Sequence, residues 1–513
     1  MGVIRDHINK HLITYTFICC IGAAIFGWEV GMLNILYSMK ASFGKRFGMY
    51  NYNPTTKQWD DAEDKNIREM FITPSFTVGS LIGTIIVYFI IDRIGRSKSL
   101  CVSSVIYFLG VIVQITFGTV VTLCLGRFVS GIGAGIATTI SPLYIAEISP
   151  KEIRGTLGVL NSLGLQLGKL FACLYETLCL KLITNNPTAQ WRTAISGLAI
   201  PTVIFLLIVW FLPETPRFLL MKNRDDEALD ILSKLREKSR NDSSVANEFS
   251  DMSVKLKADM SRGVMTWKEA LSDKSIVYRL FIIIVLQLLR MLVGVAAIAY
   301  FSTQIYSKYL NIPTKTYGAW LATLNALINL IFSLPVVKYI ERFGRRRTLL
   351  WSSCILGISM VLTFVLCYAV DKTKNMVYGW LCVIVMYIYT ITNCSGWDSS
   401  IPVWQAEVFP ISMRAKANSV GWFFKYIGSI LVTSTSTTLM KYLGYYTFWV
   451  YAAFCLIAFV FIFFTVRETR GLTLEETEKL YRNDEKSPVT YRNDDIKIKN
   501  DNEEKTERDI TSA

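Results

Sequence analysis

Apolar runs about twenty residues long recur along this chain, and a helix needs that length to cross a ~30 Å hydrocarbon layer. They fall near residues 12–37, 70–91, 99–120, 122–146, 155–180, 193–212, 279–305, 317–340, 348–370, 377–405, 416–439 and 446–466. In lipid the backbone must satisfy its own hydrogen bonds, which leaves helices or closed barrels, and unalternating runs of this length are helices. The fold class that follows is an all-α membrane protein with twelve transmembrane helices. The first run follows Arg5 and Lys10, as a signal peptide would. It is too long for an h-region and lacks a small-residue cleavage site, so it reads as a retained span.

The formal charge of +14 would fit nucleic acid in a soluble chain. Here the basic residues gather in short loops (Arg93, Arg96, Lys98; Arg342, Arg345, Arg346, Arg347) and in one linker. That is the positive-inside pattern, which places those loops and both termini in the cytoplasm and excludes a nucleic-acid partner. The eleven cysteines are scattered through apolar runs and read as small buried hydrophobes. The only histidines, His7 and His11, lie at the N-terminal edge, so no histidine-based triad or zinc site sits within the membrane and no metal or cofactor is implied.

The runs are not twelve independent spans. Asp92-Arg93-Ile94-Gly95-Arg96 lies between the second and third, and Glu341-Arg342-Phe343-Gly344-Arg345-Arg346 between the eighth and ninth. Glu147 precedes Arg154 by seven positions, and Glu407 precedes Arg414 by the same distance. Pro213-Glu214-Thr215-Pro216-Arg217 follows the sixth run, and Arg467-Glu468-Thr469-Arg470-Gly471 the twelfth. Three charged signatures recurring in step mean a duplication, two six-helix pseudo-repeats. The chain divides into a cytoplasmic N-terminus (1–11), one half (12–212), a linker (213–278), a second half (279–466) and a charged tail (467–513). The linker contains amphipathic stretches at Asp226–Leu235 and around Trp267, read as short helices. The tail is too polar to fold past about residue 485.

Val129-Ser130-Gly131-Ile132-Gly133-Ala134-Gly135 with Gly126-Arg127, Tyr144, Glu147 and Arg154, Phe26-Gly27-Trp28-Glu29 near the start, and Glu468-Thr469-Arg470-Gly471-Leu472-Thr473-Leu474-Glu475 near the end resemble the sugar porter family of the major facilitator superfamily. The resemblance runs nearly to Glu476, and the ninth-span wording is most similar to fungal hexose transporters. It implies the major facilitator fold and transport of a small polar solute, a hexose or related polyol by default, by alternating access without chemistry on the cargo. It also implies a cytoplasmic gate network of Asp92, Arg96, Glu147, Arg154, Glu214, Arg217, Glu341, Arg345, Glu407, Arg414 and Glu468. The chain would be a facilitator or a proton symporter; in a symporter, proton coupling would fall to Glu29, here a glutamate where the family has aspartate, beside Arg127, a pair that could equally be a fixed salt bridge.

The family's sugar pocket carries amides, which both donate and accept hydrogen bonds to hydroxyls. In register, its fifth-span glutamine falls on Ser162, with Gln166 and Lys169 continuing that face. The seventh-span glutamine pair lands on Arg290-Met291, a turn after Gln287, and the usual asparagine is Ala296. Asn329 survives in the eighth span, with Asn325 a turn away. The tenth-span tryptophan is replaced by Pro402, while the upstream Trp397 is kept beside Asp398; the eleventh-span amide is Lys425. Candidate binding residues are therefore Ser162, Gln166, Lys169, Gln287, Arg290, Asn325, Asn329, Trp397 and Lys425. Charges within spans cost roughly 2.5–3.5 kcal/mol each, so Lys169, Arg290 and Lys425 pair with Glu29, Glu176 or Asp398, snorkel toward an interface, or mark an unusual cavity: one for an anionic solute such as a sugar acid or organic acid, one that holds a sugar in a different pose, or one that has lost transport. A sensor that binds sugar without flux is a rival, disfavoured by a tail of only some 45 residues; an enzyme is disfavoured by the missing catalytic constellation. The plasma membrane is the expected location, with a vacuolar or other internal membrane as the alternative.

Overall fold

The computed structural model describes residues 9–481 apart from 117, 151–152, 263–265, 309, 311–316, 336–341, 471–476 and 478–479. The first half runs α1 (Lys10–Leu36), α2 (Lys65–Ile94), α3 (Arg96–Thr116), α4 (Val120–Ile148), α5 (Arg154–Leu182), α6 (Pro187–Ser196) and α7 (Ala199–Ile208). Four short helices follow: α8 (Pro216–Met221), α9 (Asp225–Arg236), α10 (Ser243–Arg262) and α11 (Trp267–Ser272). The second half comprises α12 (Lys274–Leu292), α13 (Val295–Lys308), α14 (Ala319–Ser333), α15 (Arg345–Thr373), α16 (Met376–Ser395), α17 (Trp397–Val408), α18 (Ile411–Tyr442) and α19 (Thr447–Thr465). A small hairpin, β1 (Tyr50–Asn53) against β2 (Gln58–Asp61), sits between α1 and α2.

Ten helices or helix pairs among the described residues are long and apolar enough to cross a bilayer, and α14 adds a shorter apolar one. α18 spans 32 residues but carries Arg414, Lys416, Lys425 and Lys441 with many hydroxyls, which lowers its hydropathy. Together they make the twelve-span bundle.

Small residues set the helix spacing. Lipid offers no hydrophobic drive between helices, so close backbone contact has to hold them. Where α1 crosses α5, a Cβ on Gly27 would lie 2.0 Å from the Leu165 carbonyl oxygen, and one on Gly168 would lie 2.0 Å from that of Ala24. The α2–α4 crossing repeats the device with Gly79 and Gly131.

Two spans that read as continuous in sequence are broken. α12 gives way to α13 at Gly294, whose φ of +99° suits glycine. The Val293 carbonyl freed there accepts from the Tyr389 hydroxyl at 2.9 Å. α16 gives way to α17 at Gly396, where a Cβ would meet the Ser352 side chain at 2.3 Å. Irregular backbone at membrane depth is tolerated where protein or a cavity satisfies it, and both breaks border the central cavity described below.

The two halves meet closely on the hairpin side. Asn34 Nδ2 donates to Ser302 Oγ at 2.7 Å, and the Thr303 amide donates to Asn34 Oδ1 at 3.1 Å. Tyr37 stacks on Phe301, with ring centroids 5.9 Å apart, and Gln304 donates to Glu69 at 3.0 Å. α5 joins α14 through Thr177 and Thr323, 2.9 Å apart. On the opposite face the linker helices bury Leu219, Leu220, Ala228 and Leu256 together, and Arg236 reaches both Glu248 and the Ile148 carbonyl at the end of α4. Tyr481 is buried against the second half, with the Arg467 amide donating to its hydroxyl at 3.1 Å; burial pushes its phenol up to about 12. Residues 482–513 lie outside the described residues.

Candidate functional site

The duplicated signatures build two copies of one unit. In the first half, Glu214 accepts from the Arg96 amide at 2.9 Å and the Ser97 amide at 3.2 Å, seating a carboxylate on the N-terminus of α3. Arg96 Nη2 bridges to Glu147 at 3.2 Å, and the Thr215 hydroxyl donates to the other Glu147 oxygen at 2.5 Å. In the second half, Glu468 accepts from the Arg345 and Arg346 amides at 2.8 and 3.1 Å. Arg345 meets Glu407 at 2.6 Å, and the Thr469 hydroxyl donates to Glu407 at 2.6 Å. Helix N-termini favour anions because their first amides are unpaired and the dipole is positive there. The glycine before each arginine makes the approach possible: a Cβ on Gly95 or Gly344 would stand 2.3 or 2.6 Å from the capping carboxylate, and φ is +101° and +86°.

This differs from a network of acids answering guanidinium groups. Glu214 and Glu468 serve backbone amides first, and the threonine beside each, shared by both signatures, was the unread signal. Asp92 is exposed and reaches Arg96 at 3.3 Å, Arg217 is exposed on α8, and Arg414 donates to the Phe409 carbonyl at 3.5 Å. Glu341 and the Arg154 side chain lie outside what is described. The ion pairs of the two units each join residues of a single half.

Glu29 and Arg127 form a sealed pair, 2.9 Å apart, with both side chains fully buried. Arg127 Nε donates to the Ile72 carbonyl at 3.1 Å. The second Glu29 oxygen accepts from Ser130 at 3.0 Å, Gln114 at 3.3 Å and Tyr107 at 3.4 Å. Those three partners carry no charge and were not legible beforehand.

Between the halves lies a narrow cavity of about 60 Å³, lined by polar side chains from both halves. Gln166, Lys169, Asn325 and Asn329 line it, as expected from register. Tyr389, Thr390, Asn393, Cys394 and Asp398 also line it and were not among the expected residues; they come from α16 and the start of α17, whose phase the break at Gly396 resets. Gln166 reaches across the halves to the Cys394 sulfur at 3.9 Å. Asn325 accepts from the Thr390 hydroxyl at 2.7 Å and from Asn329 at 3.3 Å.

Five candidates do not line that cavity. Arg290 stands behind its wall and donates twice to Asp398 Oδ1, at 2.9 and 2.6 Å. Gln287 is a layer further back, bonded to Gln405 at 3.0 Å. Lys425 lies over the Trp422 ring, 4.2 Å from its centroid. Trp397 is fully buried, its indole N–H donating to Ser353 at 3.2 Å, because it opens α17 and packs back onto α15. Ser162 is exposed and is not among the cavity's walls.

Two six-span halves enclosing a polar cavity at their interface, with a matching charged unit on each half, define a membrane transporter of the alternating-access kind. The chain matches the sugar (and other) transporter family over residues 15–481. It is 28% identical over 500 residues to the hexose transporter HXT9 of Saccharomyces cerevisiae, spanning 93% of this chain and 84% of the yeast protein. It is 25% identical over 497 residues to the high-affinity gluconate transporter ght3 of Schizosaccharomyces pombe, spanning 93% and 85%. The inward-open structure of the xylose transporter XylE from E. coli superposes with a TM-score of 0.73 at 22% identity, covering 91% of this chain and 99% of XylE. The chain belongs to the sugar porter family of the major facilitator superfamily.

Proposed function

We propose that the protein carries a hexose-sized sugar across the plasma membrane, binding it in the cavity between the halves, which widens to admit it, and coupling its movement to a proton on Glu29. The observation that carries the reading is the cavity itself, in which Gln166, Asn325, Asn329 and Asn393 present amides from both halves, the chemistry that holds hydroxyls. Its relatives move hexoses, xylose and gluconate. The charged-loop face and both termini lie in the cytoplasm, by the excess of arginine and lysine there. The hairpin side, where the halves are bonded together, is then the outer face, and this conformation is closed to the outside.

In this cycle the two units at Glu147 and Glu407 stiffen each half, so that the halves rock as bodies about the bound solute. Protonation of Glu29 releases Arg127 and loosens α1 from α4. Counterflow by the purified full-length protein in liposomes tests the proposal, using labelled hexoses, pentoses, polyols and sugar acids, with and without a pH gradient. Saturable exchange of at least one of them, and accumulation driven by the gradient, are expected; absence of saturable flux for all of them overturns the reading.

A further inference from the structure

In and around the central cavity there is more positive charge than the described acids answer. Lys169 lines the cavity, is only half-buried, and makes no hydrogen bond or ion pair with a described residue. Lys425 rests on Trp422 and Tyr426 and pairs with no acid among the described residues, while lying within electrostatic reach of Arg290 and Asp398. Asp398 is already engaged: one oxygen takes both Arg290 bonds and the other accepts from Asn393 at 3.0 Å. With Asp398 held by Arg290, Lys169 is left without a carboxylate among the described residues.

Among the described residues no other acid makes up the difference. Glu29 is consumed by Arg127. Glu176 shares the Lys169 face of α5 but lies seven residues on, about 10.5 Å along the helix axis, with both oxygens buried and without a partner among the described residues. Cations inside a membrane face a counter-ion or a polar cargo, and a neutral hydroxyl does not replace a counter-ion. A second orphan sits opposite in kind: Asn393 Oδ1 is a buried acceptor in the cavity wall with no donor among the described residues. One unpaired cation and one unpaired acceptor ask for a ligand bearing a carboxylate and hydroxyls together.

We propose that the cargo is a sugar acid of the aldonate class, with Lys169 as the counter-ion of its carboxylate, Asn393 Oδ1 accepting from one of its hydroxyls, and Lys425 adding to the positive field. This rests on the sugar-transport reading above and narrows it. Charge-assisted contacts of this kind discriminate strongly against a ligand that lacks the charge.

The test uses full-length protein in liposomes with the membrane potential clamped, comparing labelled D-gluconate and D-glucose in counterflow. Saturable gluconate exchange, competed by excess D-galactonate but not by D-glucose or D-glucitol, is expected. Lys169→Gln should raise the gluconate half-saturation concentration at least tenfold, and Lys169→Arg should restore most of it. Saturable glucose flux that excess gluconate does not touch overturns the aldonate proposal and leaves sugar transport standing. Competition by glucose 6-phosphate alone, or an unchanged half-saturation in Lys169→Gln, overturns it too. The wild-type competition pattern decides whether or not the variants fold, and absence of flux for every sugar removes both readings together.

Discussion

Replacing Asn34 by alanine should open the hairpin side of the molecule. Asn34 is buried at the junction of α1 and α13, and its amide both donates to Ser302 and accepts from the Thr303 backbone, at 2.7 and 3.1 Å. Neither bond survives if the halves part there. Each is worth about 1 kcal/mol net, so Asn34→Ala removes about 2 kcal/mol from the closed state and leaves the separated state untouched. At about 1.4 kcal/mol per tenfold, the population ratio moves by roughly 25-fold toward opening. Hydrogen exchange followed by mass spectrometry, on protein in nanodiscs, reads this directly: peptides covering 28–36 and 295–308 should exchange faster. The gate assignment fails if those peptides exchange as in the wild type. It fails equally if exchange rises as much in the linker helices at 225–262, which marks general loosening instead of a shifted equilibrium.

Glu29→Gln should fold, keep equilibrium exchange and lose gradient-driven accumulation; loss of neither, seen in paired counterflow and pH-jump uptake, removes Glu29 from coupling. Asp398→Asn strands Arg290 beside the cavity and should cost about 3 kcal/mol, the lower end for a broken buried pair because Asp398 is partly exposed. The double variant with Arg290→Gln should recover much of that loss, as a thermal-melt double-mutant cycle would show. Gly168→Ala puts a Cβ 2.0 Å from the Ala24 carbonyl oxygen; α1 and α5 must move apart, and the yield of monodisperse protein in size-exclusion chromatography should collapse, whereas Gly158→Ala, with open space around it, should not change it.

The spans were legible because apolar length alone signals a crossing helix, and the duplication because charges at span ends are conspicuous. The breaks at Gly294 and Gly396 were not: a lone glycine in an apolar run looks the same whether it serves packing or a backbone turn. The gate residues were recognisable while their bonding was not, since nothing in the letters says that Glu214 faces amides of α3 and not a guanidinium. Helical register put Gln166, Lys169, Asn325 and Asn329 on the faces that line the cavity. It failed for Trp397, and it passed over Thr390, Asn393 and Cys394, because the break at Gly396 interrupts the phase between the two ends of that span. Arg290 was read as a choice between a partner and a solute; the structure pairs it with Asp398.

The twin caps on α3 and α15 also constrain how the protein is made. Each carboxylate arrives from beyond the last span of its own half, Glu214 after α7 and Glu468 after α19. A half therefore stays unlatched during synthesis until its sixth crossing has entered the membrane and the next few residues have emerged. The first half can close near residue 215, well before the second begins, whereas the second waits for residues 468–469. Premature termination just short of that point would leave every crossing in place and α15 uncapped, a product that inserts fully and yet presents an unfinished half to cellular quality control.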